Sequence, residues 1–272
     1  MSDTAHSGNA ERPSRPPATP PALVEFMSTD WEERASAVTS PIAAAPFHAA
    51  RRRALADRFP GEWLIVPTGP LKVRANDTDY RFRAGTDFAW LTGFSEPDAV
   101  LVINPDGETL YMRPRSDRSS PAFFTDRRYG ELWVGPQLGL DEVRTMLGIE
   151  TAPLEELESA LKLAEKAPMR IRRGFDDRVE ALVGDEVEER DSELASAMSE
   201  IRLIKDEHEI ACLQQAVDST IVAFADVVRA LPEATKKSER WVEGTFNRRA
   251  RTEGNDVGYE TIAACGAHAC TL

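Results

Sequence analysis

The side chains able to do chemistry in this chain are few and scattered. Four histidines (His6, His48, His208 and His268) and three cysteines (Cys212, Cys265 and Cys270) are the candidates for a general base, a nucleophile or a soft metal ligand. The densest grouping is Cys265-Gly-Ala-His268-Ala-Cys270. It has the outline of a zinc knuckle, but it supplies three soft ligands where a closed tetrahedral site needs four, and no second Cys/His pair follows. No metal site is expected there. Three cysteines are also too few, and odd in number, to staple a chain of 272 residues, so reduced thiols are expected.

Serine-hydrolase chemistry lacks its parts, because no G-x-S-x-G occurs to present a nucleophile beside a base. His6 lies in a polar leader, His48 and His208 fall on predicted helices among surface-like neighbours, and His268 follows a glycine turn. Structural or solvent-facing roles are expected for all four. Gly85, Gly93, Gly107 and Gly130 form neither G-x-G-x-x-G nor G-x-x-x-x-G-K-[ST], which argues against a nucleotide phosphate cradle. Asp87 beside Phe88 and Trp90, and Asp126 beside Arg127 and Arg128, could be buried acids, with loop capping the expected role.

The elements that must hold these residues follow from periodicity. Residues 1–21 are rich in Pro, Ser, Ala and charge and read as a disordered leader without the apolar core of a secretory signal. The apolar residues between Leu23 and Trp31 are expected to pack onto the domain that follows. A helix is predicted over 47–59, with Arg51-Arg52-Arg53 as a solvated face, and a buried strand over 63–66. Further strands are predicted at 88–91, 99–103 and 109–112, the last two joined by the turn Asn104-Pro-Asp-Gly107 into a hairpin. Helices are predicted at 140–147, ending at Gly148, and at 153–165 with Leu154, Leu157, Leu161 and Leu163 inward, before a short strand at 169–171. This is a mixed-sheet α/β domain over residues 22–190.

A second domain is expected over 191–272. Asp206 and Glu209 have the spacing of a capping box. Ile210, Leu213, Val217, Ile221, Phe224, Val228 and Leu231 then recur along one helical face, which predicts a core stripe that Pro232 stops. A second helix from Ser238 turns Trp241, Val242, Phe246 and Ala250 inward and ends at Gly254, and residues 259–264 read as extended. Two helices and part of a sheet bury their own apolar faces poorly, so this domain reads as unfinished.

Composition sets the broad class. With 42% hydrophobic and 29% charged residues the chain reads as globular, and no uninterrupted apolar run approaches the roughly 18 residues that span a bilayer. Forty-six acidic against 33 basic residues give a net charge of −13, without the clustered basic footprint that nucleic acid requires. Neither a nucleic acid nor a membrane is expected as partner, and a cytoplasmic location is expected.

Three stretches carry a resemblance. Residues 80–101, YRFRAGTDFAWLTGFSEPDAVL, are similar to the Y-R-x-x-S-D-F-x-Y-L-T-G-F-x-E-P-x-A-V-L block of the Xaa-Pro aminopeptidases (aminopeptidase P), members of the creatinase and methionine-aminopeptidase superfamily. Residues 200–210, EIRLIKDEHEI, resemble that superfamily's R-x-x-K-x-x-x-E-I linker, and residues 258–272, GYETIAACGAHACTL, resemble its approach to the metal site. The resemblance implies a ribonuclease-H-like (creatinase N-terminal-like) α/β domain followed by the start of an α+β pita-bread domain. It also implies removal of the residue preceding proline, by two divalent metal ions, manganese, acting on a bridging water.

The family's five metal ligands lie beyond the third stretch, so no catalytic or metal-binding residue is carried over and no metal is expected on this chain. Tyr259 and Gly266 match residues that line the family's pocket. The aromatic that the family places two positions after its Asp falls here on Ala89, with Trp90 next to it as the candidate for a contact between subunits. The implied partners are peptides with proline at the second position, within a homo-oligomer. Two alternatives stay open: a non-catalytic oligomerisation or binding module built on the N-terminal domain, and a relative acting on dipeptides ending in proline or on a creatine-like molecule.

Overall fold

The computed structural model describes residues 19–32, 36, 38, 40–76, 78–164, 166–184 and 188–271. Most of the expected leader lies outside them. The described residues form two compact units that divide between Ala195 and Ser196, a few residues beyond the expected boundary and inside a helix.

The first unit begins with α1 (Pro21–Met27), which has proline at its first turn, and α2 (Ala45–Ala56). It continues through β1 (Trp63–Pro67), β2 (Val73–Ala75), β3 (Thr78–Asp79), α3 (Thr86–Thr92), β4 (Ala99–Asn104) and β5 (Gly107–Met112). Then come α4 (Ala122–Thr125), α5 (Glu131–Val134), α6 (Leu140–Leu147), β6 (Glu150–Pro153), α7 (Leu157–Leu163), β7 (Met169–Ile171), α8 (Asp177–Val183) and α9 (Glu188–Ile201). Five strands make one mixed sheet in the order β6-β5-β4-β1-β7. Its centre is antiparallel, with Ile65 opposite Val102, and both flanking pairs are parallel, with Ile65 opposite Ile171 and Leu110 opposite Thr151.

Alternation along the strands gives the sheet two apolar faces, so its central strands read as continuous apolar runs. Ile65, Val100, Val102 and Ile171 pack with Leu157 and Leu161 of α7 and Val179 of α8. The intervening Leu64, Val66, Leu101 and Ile103 are buried as well, and α2 and α3 pack on each other and against β4 and β1. The first half of α9 is tied to β7 by Arg170, which bonds Glu62 and Glu193, and by Asp191, which accepts from the Ile171 amide.

Several expectations hold as local chemistry dictates. Asn104 accepts from the amides of Asp106 and Gly107 and closes the β4–β5 hairpin. Gly148 ends α6 in the left-handed conformation, at φ 64°. The packing expected of residues 23–31 holds only at Trp31, which meets Phe123 edge to face, whereas α1 buries none of its residues and Leu23 and Phe26 are exposed.

Others are corrected. Residues 88–91 are not a strand but lie within α3. Gly93, at φ 73°, ends that helix, Thr92 Oγ1 donates to Phe88 O, and Phe88 and Leu91, one turn apart, are both buried. A short apolar run bounded by glycines fits either element, and here the tertiary fit decided. The solvated face predicted for Arg51-Arg52-Arg53 holds for Arg53 alone. Arg52 is fully buried, donates to Leu91 O at 2.9 Å and pairs with Glu108 at 2.6 Å, while Arg51 donates to Trp90 O at 3.0 Å. His48 is buried beside them, its Nδ1 2.8 Å from Trp90 O. Leu163, expected inward, is exposed at the end of α7.

The second unit holds α10 (Glu207–Lys237), α11 (Glu239–Glu253) and a 3₁₀ turn at Gly266–Cys270. The capping box is present: the Glu209 amide donates to Asp206 Oδ1 at 2.8 Å and the Asp206 amide to Glu209 Oε2 at 3.2 Å. Pro232 does not stop α10, because the backbone bond it forfeits lies on an exposed stretch where water can take the carbonyl. The apolar stripe expected to be core is exposed throughout, from Ile210 at 56% to Leu231 at 45%. Among the described residues α10 is also long and apolar enough to cross a membrane by length and composition. Gln214, Asp218 and Asp226 nevertheless give it an amphipathic rather than a uniformly apolar pattern. The strand expected at 259–264 is absent among the described residues of this unit, which offers it no strand edge to pair with.

Candidate functional site

In the first unit, a buried polar cluster is centred on Asp98, which lies in the turn leading into β4. Its backbone is left-handed, at φ 53°, a conformation costly for most residues and tolerated best, after glycine, by Asn and Asp. Its side chain is buried. A buried carboxylate needs partners, and Asp98 has two: the Tyr129 hydroxyl donates to Oδ2, and Arg178 donates to Oδ1 at 2.5 Å. Arg178 also bonds Asp176, the N-cap of α8, at 2.7 Å, and these carboxylates hold its guanidinium well above the usual arginine range.

Tyr129 is presented by a short turn. Asp126 accepts from the amides of Arg128 and Tyr129 at 2.9 and 3.1 Å, which is the loop-capping role expected of it. Burial, with the bond to Asp98 adding to it, pushes the Tyr129 phenol up to about 12. The guanidinium of Arg113 lies over the Tyr129 ring, 3.9 Å from its centroid. Arg128 forks onto Asp79 at 2.9 and 2.5 Å and holds that carboxyl below its ordinary value. Arg115 pairs with Glu142 at 3.1 Å. Of these groups Arg113, Arg115, Arg128 and Tyr129 line a cavity of about 600 Å³ whose other walls include Leu71, Phe82 and Phe94.

In the second unit, α10, α11 and residues 254–262 surround a cavity of about 570 Å³ lined by Phe224, Phe246, Tyr259 and Ile262 among others. Phe224 and Phe246 meet edge to face at 5.6 Å. Asp226 is held by Arg249 at 2.7 Å and Arg229 at 2.6 Å, and these cations keep its carboxyl below the ordinary range.

The residues singled out in the sequence disperse between these places. Tyr259 lines the second unit's cavity with its side chain largely exposed. Gly266 lies apart from that lining and opens the 3₁₀ turn at φ 57°. Trp90 is nine-tenths buried within the first unit, with Arg51 over its ring at 5.2 Å, so little of it faces outward for a neighbour. Asp87 is buried and accepts from Arg172 at 2.9 Å. His268 lies 2.9 Å from Glu239, a pairing that accounts for the histidine of the cysteine-flanked motif.

Sequence reasoning passed over Asp98, Arg113, Tyr129 and Arg178. Asp98 sits inside the stretch that carries the resemblance, yet its partners come from far along the chain and no local spacing announces them. The implied metals fare differently: among the described residues no group of three or more His, Cys, Asp or Glu side chains is arranged to hold a metal ion. The residues present do not fit a dinuclear metal centre.

The comparisons with known proteins agree with one another. Residues 48–171 match the model of the family described as aminopeptidase P, N-terminal domain. The chain is 49% identical over 261 residues to Xaa-Pro aminopeptidase 1 of Streptomyces coelicolor, covering 94% of this chain and 53% of that protein. It is 42% identical over 269 residues to Xaa-Pro aminopeptidase 2 of the same organism, covering 97% and 57%. A solved structure of Escherichia coli aminopeptidase P with the inhibitor Pro-Leu superposes with a TM-score of 0.61 at 24% identity, covering 79% of this chain and 51% of that one, a likeness of fold. The chain thus spans about half the length of the curated relatives it matches.

Proposed function

We propose, from a chain that carries an aminopeptidase P N-terminal domain over residues 48–171, that it is the N-terminal portion of a Xaa-Pro aminopeptidase and serves to build and position that enzyme's peptidase half. The observation that carries this reading is the similarity over almost the whole chain to Xaa-Pro aminopeptidases of which it spans only half. The exposed stripe of α10 supports it physically. Seven large apolar side chains along one face are a surface that the remainder of such an enzyme would cover.

The chemistry would then reside outside these residues. Two divalent ions, manganese by the family's pattern, would supply Lewis-acid polarisation and a water of lowered pKa. No set of ligands for them is present among the described residues. What this chain contributes is the closed α/β unit and the capped α10–α11 pair. Peptides with proline at the second position, a homo-oligomeric assembly and a cytoplasmic location belong to the same proposal.

The test is to translate the coding sequence past codon 272 and assay both products on an Xaa-Pro peptide. Manganese-stimulated, chelator-sensitive release of the N-terminal residue is expected from the extended product and not from residues 1–272. Such activity in the 272-residue chain, or a stop codon with no metal-ligand sequence beyond it, would overturn the proposal.

A further inference from the structure

The cavity beside Asp98 is organised in a way that the proposed role does not use. At about 600 Å³ it lies within the range of small-molecule sites. Its lining is two-sided: Leu71, Phe82 and Phe94 form an apolar part, and Arg113, Arg115 and Arg128 a cationic one. The three guanidinium groups are anchored differently. Arg115 is answered by Glu142 and Arg128 by Asp79. Arg113 rests on an aromatic face, and among the described residues no carboxylate pairs with it.

That aromatic face is itself held in place. Tyr129 is fixed at its hydroxyl by buried Asp98 and at its amide by Asp126, so the ring beneath Arg113 is braced at both ends. A guanidinium stacked on a ring keeps its in-plane N–H fork available, and that fork matches the two oxygens of a carboxylate. Glu96 also lines the cavity and is exposed. Its charge lowers the net positive field and favours a singly charged ligand over a phosphate dianion.

We propose that this cavity binds a carboxylate borne on an apolar body, with Arg113 receiving the carboxylate, Phe82 and Phe94 receiving the apolar part, and Tyr129 acting as a positioning residue for Arg113. The chemistry is shared by small free acids and by the C-terminus of a peptide, and the experiment separates them. It does not rest on the peptidase reading, since every residue involved lies in the first unit.

The 272-residue chain would be titrated by calorimetry with N-acetyl-leucine, N-acetyl-alanyl-leucine, the C-terminal amide of each, and inorganic phosphate. Saturable binding is expected for the two acids, weaker by at least about tenfold for the amides and for phosphate, because the charge-assisted fork is lost or mismatched. Tighter binding of the dipeptide assigns the site to peptide C-termini, and equal or tighter binding of N-acetyl-leucine assigns it to small acids; both uphold the carboxylate site.

Arg113→Gln, at an exposed side chain, should weaken the acids by about tenfold or more, with Arg113→Lys intermediate. Tyr129→Phe, which keeps the ring but drops the bond to Asp98, should weaken them by a smaller, few-fold factor. Near-UV circular dichroism checks that each variant is folded. Amides or phosphate bound as tightly as the acids, an unchanged affinity in Arg113→Gln, or no saturable binding would each overturn the proposal.

Discussion

Leu101 falls in a predicted strand, β4, and Leu213 in the stripe of α10 expected to be core, yet the first is fully buried and the second is 54% exposed. The first sits at the centre of a sheet whose two faces are covered by helices of the same unit, and the second on a helix whose apolar stripe its own unit leaves largely exposed, Phe224 against Phe246 being its edge-to-face contact. The contrast separates two kinds of information in a hydrophobic pattern. Periodicity says that a face is built for burial; what buries it is a matter of the elements supplied elsewhere.

The contrast is broken most directly by making one substitution in both units. Leu101→Ala should lower the stability of the first unit by roughly 3 to 4 kcal/mol, the cost of lost apolar transfer plus a cavity among close-packed neighbours. Leu213→Ala should change unfolding by less than about 0.5 kcal/mol, since the side chain is half in water already. Urea denaturation of the two variants measures both. A loss at Leu213 comparable to that at Leu101 would mean that the stripe is covered when the chain is in solution.

How much was legible beforehand divides along the same line. Features whose cause lies within a few residues were readable: the Asn104–Gly107 hairpin turn, Gly148 after α6, the Asp206–Glu209 box and the Asp126 cap. Features whose cause lies across the fold were not. Nothing near Arg52 announces that Glu108 and the Leu91 carbonyl will receive it in the interior, so three consecutive arginines read as a wet surface. Phe88–Leu91 read as a strand because four residues cannot display a helical period. Of the two cavities, Tyr259 was flagged through family likeness, whereas the cluster at Asp98 depends on Tyr129 and Arg178, whose contacts only the sheet brings about.

The cluster at Asp98 sharpens the comparison through pH. Tyr129 is held protonated to about pH 12 in the folded unit, against roughly 10 for a phenol in the unfolded chain. A group whose pKa is raised on folding contributes stability that is complete below pH 10 and is lost as the pH climbs toward 12. Two units of pKa correspond to about 2.7 kcal/mol, and solvent screening of this half-buried ring reduces the expected loss to on the order of 1 to 2 kcal/mol. Unfolding of the native chain followed between pH 9 and 12 should show that decline, and Tyr129→Phe should flatten it. A variant with the same alkaline slope would place the titrating group elsewhere.

A modest effect is expected at the cap that opens the second unit's long helix. Asp176 and Asp206 both stand at helix N-termini and both accept a backbone amide, from Arg178 and from Glu209 respectively. Asp176 is also buried and paired with Arg178, so removing it leaves a cation without one of its carboxylates. Asp176→Ala should therefore cost the first unit about 2 kcal/mol, more than a cap alone. Asp206 lies at the start of a helix whose first turns are half exposed, where water can replace the lost acceptor, so Asp206→Ala should cost about 1 kcal/mol or less. Its signature is faster amide hydrogen exchange in the first turn of α10 around Glu209 and Ile210, with the exchange of β4 unchanged. If instead the two caps cost the same, the second unit would be as tightly held at its start as the first, and the difference between the units would lie in the stripe alone.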